Sequence, residues 1–484
     1  MNLLKCLLSL AMMFCFGVEA NASHLLVQGS VSAGGKGLSG VVVSDGYSCC
    51  VTDAKGNYHF EVNDDARFVF VSTPSAYAVA CIEATVPQFY HRIDRSHPDA
   101  AYDFTLIPIK GQADRFVFLA QADVQVTAGK ELTKGYAADV RDMRQLANGL
   151  SRDGRSVFFI DLGDIVGNAQ WLYPQYLQTI SPLNMPVFRA VGNHDMEMPP
   201  SRTYEGSTKT FERFFGPVNY SFNRGRAHFI ILDDCFCTGR DYQYIGYIPE
   251  QTFRWLEQDL SHVRKGSLVF VAMHIPCSPT DKLVYNQSDM EYVSNAAALW
   301  ETLRGYQVHF LSGHTHWNQN LQYTDSIMEH NTAAVCGIWW KAGMCMDGTP
   351  RGCGVYEVDG DSLTWYYHSF GHSRDYQMRV YRPGAIKEYP HDIVANVWNY
   401  DTKWKVEWLE DGKVMGQMTQ FTDFDPEAAA ICADKEKVEY DWISPAKTTH
   451  LFHATPKNAA ARITVRVTDR FGHIYEAQVG KAMQ

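Results

Sequence analysis

Five short apolar runs of this sequence each end in residue types that bind metal ions. The groups are Phe116–Ala120 with Asp123 and Gln125, Val157–Ile160 with Asp161 and Asp164, Val187–Val191 with Asn193, His194 and Asp195, Leu268–Met273 with His274, and Val308–Leu311 with His314 and His316. In parallel α/β sheets, ligands and catalytic groups gather at the carboxyl ends of the strands. We therefore expect these run ends to form one site. Oxygen and imidazole donors without cysteine favour hard or borderline divalent cations. We expect two such cations in the site.

Segments with helical periodicity lie between these runs, as crossover connections require. Tyr136–Leu150, Pro249–Ser261 and Asn295–Arg304 are the clearest predicted helices, and each is followed by an apolar strand. Alternation of strands and helices over residues 113–370 indicates an α/β domain. This domain would place the five run ends at the edge of a sheet.

The segments on either side of this region have a different pattern. Residues 24–110 alternate apolar and polar residues between Gly and Ser turns, which predicts a small β-sandwich. The pattern resembles the carboxypeptidase-regulatory-like domain. Residues 372–484 predict a second all-β domain, because Pro, Gly and Asp separate short strand-like segments. These segments are Met378–Tyr381, Val394–Trp398, Trp404–Leu409, Ile463–Asp469 and His473–Val479.

The amino terminus has the pattern of a secretory signal peptide. A positive charge at Lys5 precedes the apolar run Leu7–Val18, and Ala20-Asn21-Ala22 matches a cleavage site. The predicted boundaries are 1–22 for the signal peptide, 23–110 for the N-terminal β-sandwich, 111–371 for the α/β domain and 372–484 for the C-terminal β-rich domain. Export to the periplasm or the extracellular space follows, with no transmembrane segment.

Charge and cysteine content restrict the function further. The formal net charge is -11 and no basic run stands out, so we expect no nucleic-acid polymer as a partner. Export permits disulfides. Cys235 could pair with Cys237, and Cys345 with Cys353, or these cysteines could remain packed thiols. The sequence gives no indication of the oligomeric state.

The order of the polar motifs resembles the calcineurin-like metallophosphoesterase family over residues 114–370. The residues that carry the resemblance are Asp123-Val-Gln125, Gly163-Asp164-Ile-Val-Gly-Asn168, Gly192-Asn193-His194-Asp195, His274 and Gly313-His314-Thr315-His316. The flanking domains resemble those of a secreted bacterial subgroup, as does Cys336-Gly-Ile-Trp-Trp340. The resemblance implies a four-layer α/β sandwich flanked by two all-β domains.

The resemblance also implies a ligand set for two divalent metal ions. Asp123, Gln125, Asp164 and His316 would hold the first, and Asp164, Asn193, His274 and His314 the second. Asp164 would bridge the two, because a carboxylate has two oxygens and can span cations about 3.5–4 Å apart.

The implied reaction is hydrolysis of a phosphate monoester or diester by in-line attack of a metal-bridging hydroxide. His194 would protonate the leaving oxygen or stabilise the transition state. Asp195 would orient the His194 imidazole by accepting its second N–H.

Gln125 departs from the family pattern, in which a histidine follows the first aspartate by two positions. An amide oxygen is a harder ligand than imidazole, so we expect Mn or Fe to be favoured. Mg, Zn and Ca remain open.

Aromatic residues near the motifs favour either core packing or a flat wall for a substrate. Candidate substrate contacts are Asn168, Trp317 and Trp340. The expected substrate is a small phosphorylated molecule, namely a lipid headgroup, a glycan or a nucleotide. Two alternatives are a catalytically weak or inactive surface-binding module on the same scaffold, and a metallo-amidase or peptidase.

Overall fold

The computed structural model describes residues 25–198, 201–278, 289–458 and 460–480. The predicted signal peptide lies outside the described residues. Within the described ranges, no helix is long and apolar enough to cross a membrane.

Two small β-sheets and a two-stranded sheet of β8 and β9 form the N-terminal region. One has the order β2-β1-β11-β7, with β5 paired to β1, and the other has the order β10-β6-β3-β4. Val31, Val43 and Phe104 lie in the apolar core of this region. The strands are β1 (Leu26–Ala33), β2 (Lys36–Gly37), β3 (Val42–Ser44), β4 (Cys49–Val51), β5 (Asn57–Glu61), β6 (Phe68–Val71), β7 (Tyr77–Ala78), β8 (Cys81–Ile82), β9 (Val86–Pro87), β10 (Tyr90–Arg92) and β11 (Phe104–Pro108).

Two larger sheets form the centre of the molecule. The first has the order β14-β13-β12-β23-β24 and the second β15-β16-β19-β20-β22-β21. The strands are β12 (Arg115–Gln121), β13 (Ser156–Asp161), β14 (Val187–Arg189), β15 (Tyr220–Arg224), β16 (Ala227–Ile231), β17 (Cys235–Arg240), β18 (Gln243–Gly246), β19 (Leu268–Ala272), β20 (Gln307–Ser312), β21 (Gln319–Thr324), β22 (Ile327–Asn331), β23 (Gly352–Asp359) and β24 (Ser362–Ser369). Strands β12, β13 and β14 are parallel, as are β16, β19, β20 and β22.

Side-chain alternation along β12 explains how the sheets pack. Phe118 lies between the sheets, where its ring centroid is 5.4 Å from that of Phe229 and 4.8 Å from that of Phe270. Val117 and Leu119 face the opposite way and belong to the apolar cluster that contains the first helices. Both faces of the strand are therefore buried, as expected for a parallel strand covered by helices.

The helices form the outer layers. They are α1 (Gly129–Glu131), α2 (Ala137–Leu150), α3 (Tyr173–Ile180), α4 (Tyr204–Ser207), α5 (Lys209–Phe215), α6 (Glu250–Ser261) and α7 (Ala296–Thr302). Helices α2 and α3 pack with the outer residues of β12, whereas α6 and α7 belong to the apolar cluster that contains β19. The order of helix, sheet, sheet and helix confirms the predicted α/β fold class.

The C-terminal region consists mainly of two four-stranded sheets, ordered β25-β26-β30-β29 and β28-β27-β31-β32. Its elements are β25 (Met378–Tyr381), β26 (Ile393–Val397), β27 (Lys405–Glu410), β28 (Lys413–Gln417), β29 (Thr419–Phe424), α8 (Pro426–Ala433), β30 (Lys447–Ala454), β31 (Ile463–Thr468) and β32 (Ile474–Gln478). Helix α8 was not predicted. Its start is nevertheless visible in the sequence, because the Asp425 carboxylate caps the first turn and Pro426 occupies the first helical position.

Of the two alternatives for the cysteines, the described residues show packed thiols and neither of the possible pairings. All ten cysteines in the described residues are free thiols. Cys235 and Cys237 lie two positions apart on the extended strand β17, and Cys345 and Cys353 are separately buried.

Trp255 of α6 joins the N-terminal region to the central domain. Its side chain is fully buried, its indole N–H donates to Ser44 Oγ at 3.0 Å, and its ring lies 6.3 Å from that of Phe70. This large side chain therefore contributes both packing and a hydrogen bond to the interface.

Replacing Trp255 with alanine should lower stability by about 3–5 kcal/mol, because the change leaves a cavity and removes a buried hydrogen bond. The Tm from circular dichroism would measure this loss. The control is Trp171→Ala, since Trp171 is 73% exposed. Equal Tm shifts in the two variants would contradict the importance of this contact.

Candidate metal centre

Sharp turns after the central strands direct the predicted ligands to one place. Five of the seven have left-handed backbone angles, which are uncommon for residues other than glycine. Their φ values are 56° at Asp123, 42° at Gln125, 51° at Asp164, 69° at His314 and 59° at His316. Such conformations cost on the order of 1–3 kcal/mol each and persist where the surroundings impose them. The strain is thus concentrated on the ligand-bearing turns.

Two motif glycines permit the close approach of these turns. A Cβ at Gly192 would lie 2.2 Å from Asp164 N and 2.3 Å from Asp164 Oδ1. A Cβ at Gly313 would lie 2.4 Å from Ala122 Cβ and 2.7 Å from Asp123 Oδ2. The glycines in Gly-Asn-His-Asp and Gly-His-Thr-His are therefore required by packing between neighbouring turns.

The predicted ligands of the second metal form a tight group. Ligand atoms of Asp164, His274 and His314 all lie within 4.8 Å of one another. His274 Nε2 is 3.3 Å from Asp164 Oδ2, 3.1 Å from Asn193 Oδ1 and 3.2 Å from His314 Nδ1. This arrangement brings two imidazoles, a carboxylate and an amide oxygen around one point.

The outer nitrogens of both imidazoles are bonded to backbone carbonyls. His274 Nδ1 lies 2.8 Å from Leu162 O, and His314 Nε2 lies 2.9 Å from Met290 O. A carbonyl oxygen can only accept, so His274 Nδ1 and His314 Nε2 carry the hydrogens. His274 Nε2 and His314 Nδ1, which face each other, therefore present lone pairs. Lone pairs only 3.2 Å apart repel each other unless a proton or a cation lies between them. The donor set therefore fits a metal ion.

The predicted ligands of the first metal are equally buried. Asp123 Oδ1 has no hydrogen-bond partner among the described residues and lies 3.4 Å from His316 Nε2. An unpaired buried carboxylate oxygen is costly, and a bound cation would satisfy it. Gln125 Nε2 lies 3.2 Å from Asp164 Oδ2, which places the Gln125 amide against the proposed bridging carboxylate.

The charges at this centre also favour a cation. Burial lowers the pKa of His274, but the carboxylates of Asp164, Asp123 and Asp234 outweigh burial and raise it to about 10. Burial raises the pKa of Asp164, yet His274 and His194 hold it well below its usual range. Without metal, the negative centre therefore draws a proton onto His274, at the position where the resemblance places a metal.

Cys336 is a buried contact of the first ligand group that sequence reasoning missed. Its Sγ lies 3.7 Å from His316 Nδ1 and 3.8 Å from Gln125 Oε1. An amide binds metals through oxygen, so rotating the Gln125 amide by 180° would present Oε1 to the cation. Gln125 Nε2 would then face Cys336, and the sulfur would accept from both Gln125 and His316.

Asp234 is a second residue that was missed. Its buried carboxylate accepts from the backbone N–H groups of His274 and Ile275 at 3.1 and 2.8 Å, and so fixes the His274 turn. A sequence signal was present, because Asp233 and Asp234 follow the apolar strand β16 in the same way as the recognised ligands follow their strands.

Asp195 does not have the surroundings predicted for it. Its carboxylate accepts from the backbone N–H groups of Gly192, Ile165 and Val166 at 3.0, 3.2 and 3.3 Å, and from Tyr173 Oη at 3.0 Å. It therefore holds the Asp164 turn against the Asn193 turn. The prediction that Asp195 orients the His194 ring is therefore corrected: Asp195 holds these two turns together.

A cavity of about 390 Å³ opens beside these ligands. Of the predicted substrate residues, only Trp317 is among the described residues that line it. The Trp340 indole N–H instead donates to Val124 O at 2.9 Å beneath the first ligand turn. Asn168 occupies a left-handed turn, where its backbone N–H donates to His194 O at 3.2 Å. Trp340 therefore has a structural contact, and substrate contacts by Trp340 and Asn168 stay predictions.

Three family models match successive parts of this sequence. Calcineurin-like phosphoesterase matches residues 116–318, the N terminal of calcineurin-like phosphoesterase matches residues 25–109, and the C terminal of calcineurin-like phosphoesterase matches residues 329–475. The chain belongs to the calcineurin-like phosphoesterase family. It is therefore a metal-dependent phosphoester hydrolase, and the predicted enzyme class is confirmed.

Several solved structures are similar to about half of this calcineurin-like phosphoesterase. A dimetal phosphatase from Danio rerio is 17% identical with a TM-score of 0.38, over 52% of this chain and 96% of that one. A purple acid phosphatase from yellow lupin (Lupinus luteus) seeds is 14% identical with a TM-score of 0.40, over 54% and 52%. A 5′-nucleotidase from Candida albicans is 12% identical with a TM-score of 0.34, over 53% and 52%. The matches span about half the length of the lupin and Candida proteins. No curated protein matches this sequence.

Replacing Cys336 with alanine should weaken binding of the first metal roughly 10- to 100-fold, as removal of a group that orients metal ligands typically does. Cys336→Ser keeps an acceptor and should lose less. Metal titration followed by calorimetry would measure the affinity.

Cys345→Ala is the matched control, because the buried Cys345 thiol instead lies 3.5 Å from Ala334 O. Equal metal affinity in the Cys336→Ala and Cys345→Ala variants would show that Cys336 does not orient the ligands.

Proposed function

We propose that this protein is an exported, dinuclear-metal phosphoesterase that hydrolyses an ester of a small phosphorylated molecule. The observation that carries the proposal is the double environment of Asp164. Its Oδ2 lies 3.3 Å from His274 Nε2 and 3.2 Å from Gln125 Nε2, so this one oxygen contacts a member of each predicted ligand group. One carboxylate between two donor groups is the arrangement that a bridging ligand needs.

Each donor group would hold one divalent cation. The first comprises Asp123, Gln125 and His316, the second comprises Asn193, His274 and His314, and Asp164 is shared. When bound, the two cations would clamp the phosphate and lower the pKa of a water that attacks phosphorus in line. Mn or Fe is favoured, since Gln125 contributes an amide oxygen where an imidazole would suit zinc better.

His194 is the proposed proton donor to the leaving oxygen. Its backbone N–H donates to Asp164 Oδ1 at 2.8 Å, and its side chain lines the cavity beside Asp164 and Gln125. Burial lowers the pKa of His194, and the Asp164 carboxylate opposes this shift. The ring thus lies at the cavity wall while its backbone is bonded to the bridging carboxylate, which suits contact with the reacting phosphate rather than metal binding.

The sequence of residues 1–22 supports export, and the cavity volume suits a small substrate. Lipid headgroups, glycans and nucleotides remain the proposed substrate classes. Both monoesters and diesters are compatible with the metal pair.

The test is a panel of p-nitrophenyl phosphate, bis-p-nitrophenyl phosphate and nucleoside monophosphates, assayed with Mn²⁺ or Mg²⁺. We expect turnover that is lost on chelation and restored by metal. An absence of turnover in the metal-loaded protein across the whole panel would contradict the proposal.

His194→Ala should lower kcat roughly 10²- to 10⁴-fold, because the proton donor is removed, and should leave metal content unchanged. His262→Ala provides a control at an exposed histidine. Loss of metal from the His194→Ala variant would instead make His194 a ligand.

A further inference from the structure

The C-terminal region reaches the metal centre through Trp442. This residue lines the same cavity as Gln125, Asp164, His194 and His316, together with Trp339. It follows the central domain by many residues in sequence, so the wall of the cavity is built from two parts of the chain.

Trp442 is 62% exposed, although it belongs to the apolar side of this cavity. An exposed indole beside a functional site is informative, because large aromatic side chains normally bury most of their surface. A ligand that packs on its face would remove this surface from water.

Neighbouring rings fix the position of Trp442. The Trp339 ring is 4.7 Å away at 84°, and the Tyr440 ring is stacked 5.6 Å away at 8°. Trp339 in turn stacks on His316, 4.6 Å away at 22°. Ile443 anchors the segment in a buried cluster with Ile338. The aromatic wall, defined as Trp339 and Trp442, is therefore held in place before any ligand arrives.

A polar network ties the C-terminal region to the turn that carries His314 and His316. The buried carboxylate of Asp347 accepts from Asn318 N at 2.9 Å and lies 3.2 Å from His450 Nε2. Asn399 N donates to Asn318 Oδ1 at 2.7 Å. These contacts fix the position of the C-terminal region relative to the predicted metal ligands.

The charge of the cavity restricts what can lie on the aromatic wall. Among the described residues that line the cavity there is no lysine or arginine, whereas Asp164 and Glu291 are acidic. The proposed cations would balance one phosphate group. A second anionic group near the wall would have no basic partner among these described lining residues and would approach Glu291.

We infer that the aromatic wall of Trp339 and Trp442 receives the leaving group of the substrate, and that this group has a flat or apolar face and no negative charge. The inference rests on the proposed phosphoesterase function. In the reaction, one water is consumed, the P–O bond to the leaving group breaks, and the departing oxygen takes a proton from His194. For a monoester the products are phosphate and an uncharged hydroxyl compound, and for a diester they are a phosphate monoester and that hydroxyl compound.

The test compares phenyl phosphate with 4-carboxyphenyl phosphate, which adds one negative charge to the same ring. The wild-type protein should hydrolyse phenyl phosphate with at least a severalfold higher kcat/KM. Trp442→Ala should raise the KM for phenyl phosphate roughly two- to tenfold, with little change in kcat or metal content. Trp442→Phe should restore most of the loss, and Trp171→Ala is the control at another exposed tryptophan.

Two results would overturn this inference while leaving the proposed function intact. The first is equal hydrolysis of both esters, and the second is a KM for Trp442→Ala no higher than that of Trp171→Ala. One case of the second result is an unchanged KM of the Trp442→Ala variant together with lost binding to phosphatidylcholine vesicles. The wall would then contact membranes instead of the leaving group. If the metal-loaded wild-type protein hydrolysed neither ester and no member of the panel above, the proposed function itself would fail and the inference with it. Turnover of the panel without hydrolysis of phenyl phosphate would overturn the inference alone.

Discussion

The demand of a buried acidic centre for positive charge is the constraint on which the rest of this structure depends. Asp123 and Asp164 lie at the ends of strands β12 and β13, with side chains that are essentially inaccessible to solvent. Buried carboxylates are costly unless they are paired or coordinate metals. Three imidazoles surround them, and two of these direct lone pairs towards each other. The fold thus creates an arrangement of charges and donors that favours bound cations.

The surrounding protein makes this arrangement rigid. Asp195 bonds the turns of Asp164 and Asn193 together, Asp234 holds the His274 turn, and Cys336 contacts His316 and Gln125. Motif glycines allow the turns to approach more closely than any Cβ would permit. The left-handed backbone of five ligands is strained. The packed cores of the two central sheets hold these residues in that conformation. Stability of the scaffold and precision of the site are therefore linked.

Sequence reasoning recovered the parts of this site that depend on local pattern. Apolar strands followed by Asp, Asn or His could be recognised because strand ends of a parallel sheet converge, and the family resemblance supplied the order. Asp195 was misjudged because the turn directs its carboxylate into backbone N–H groups, which residue type alone does not reveal. Trp339 and Trp340 are adjacent, yet one stacks on His316 and the other bonds to Val124 O, because both have left-handed backbone. Trp442 could not be predicted, since only the packing of Ile443 against Ile338 brings it to the cavity. The cysteine spacings likewise left pairing undecided until burial of the individual thiols was known.

The central claim is that Asp164 bridges two metal ions, and anomalous diffraction from crystals grown with Mn²⁺ tests it most directly. The account predicts two anomalous peaks about 3.5–4 Å apart, with Asp164 contributing an oxygen to each. One peak should be ligated by Asp123, Gln125 and His316, and the other by Asn193, His274 and His314. A single peak, or two peaks that do not share Asp164, would contradict the account.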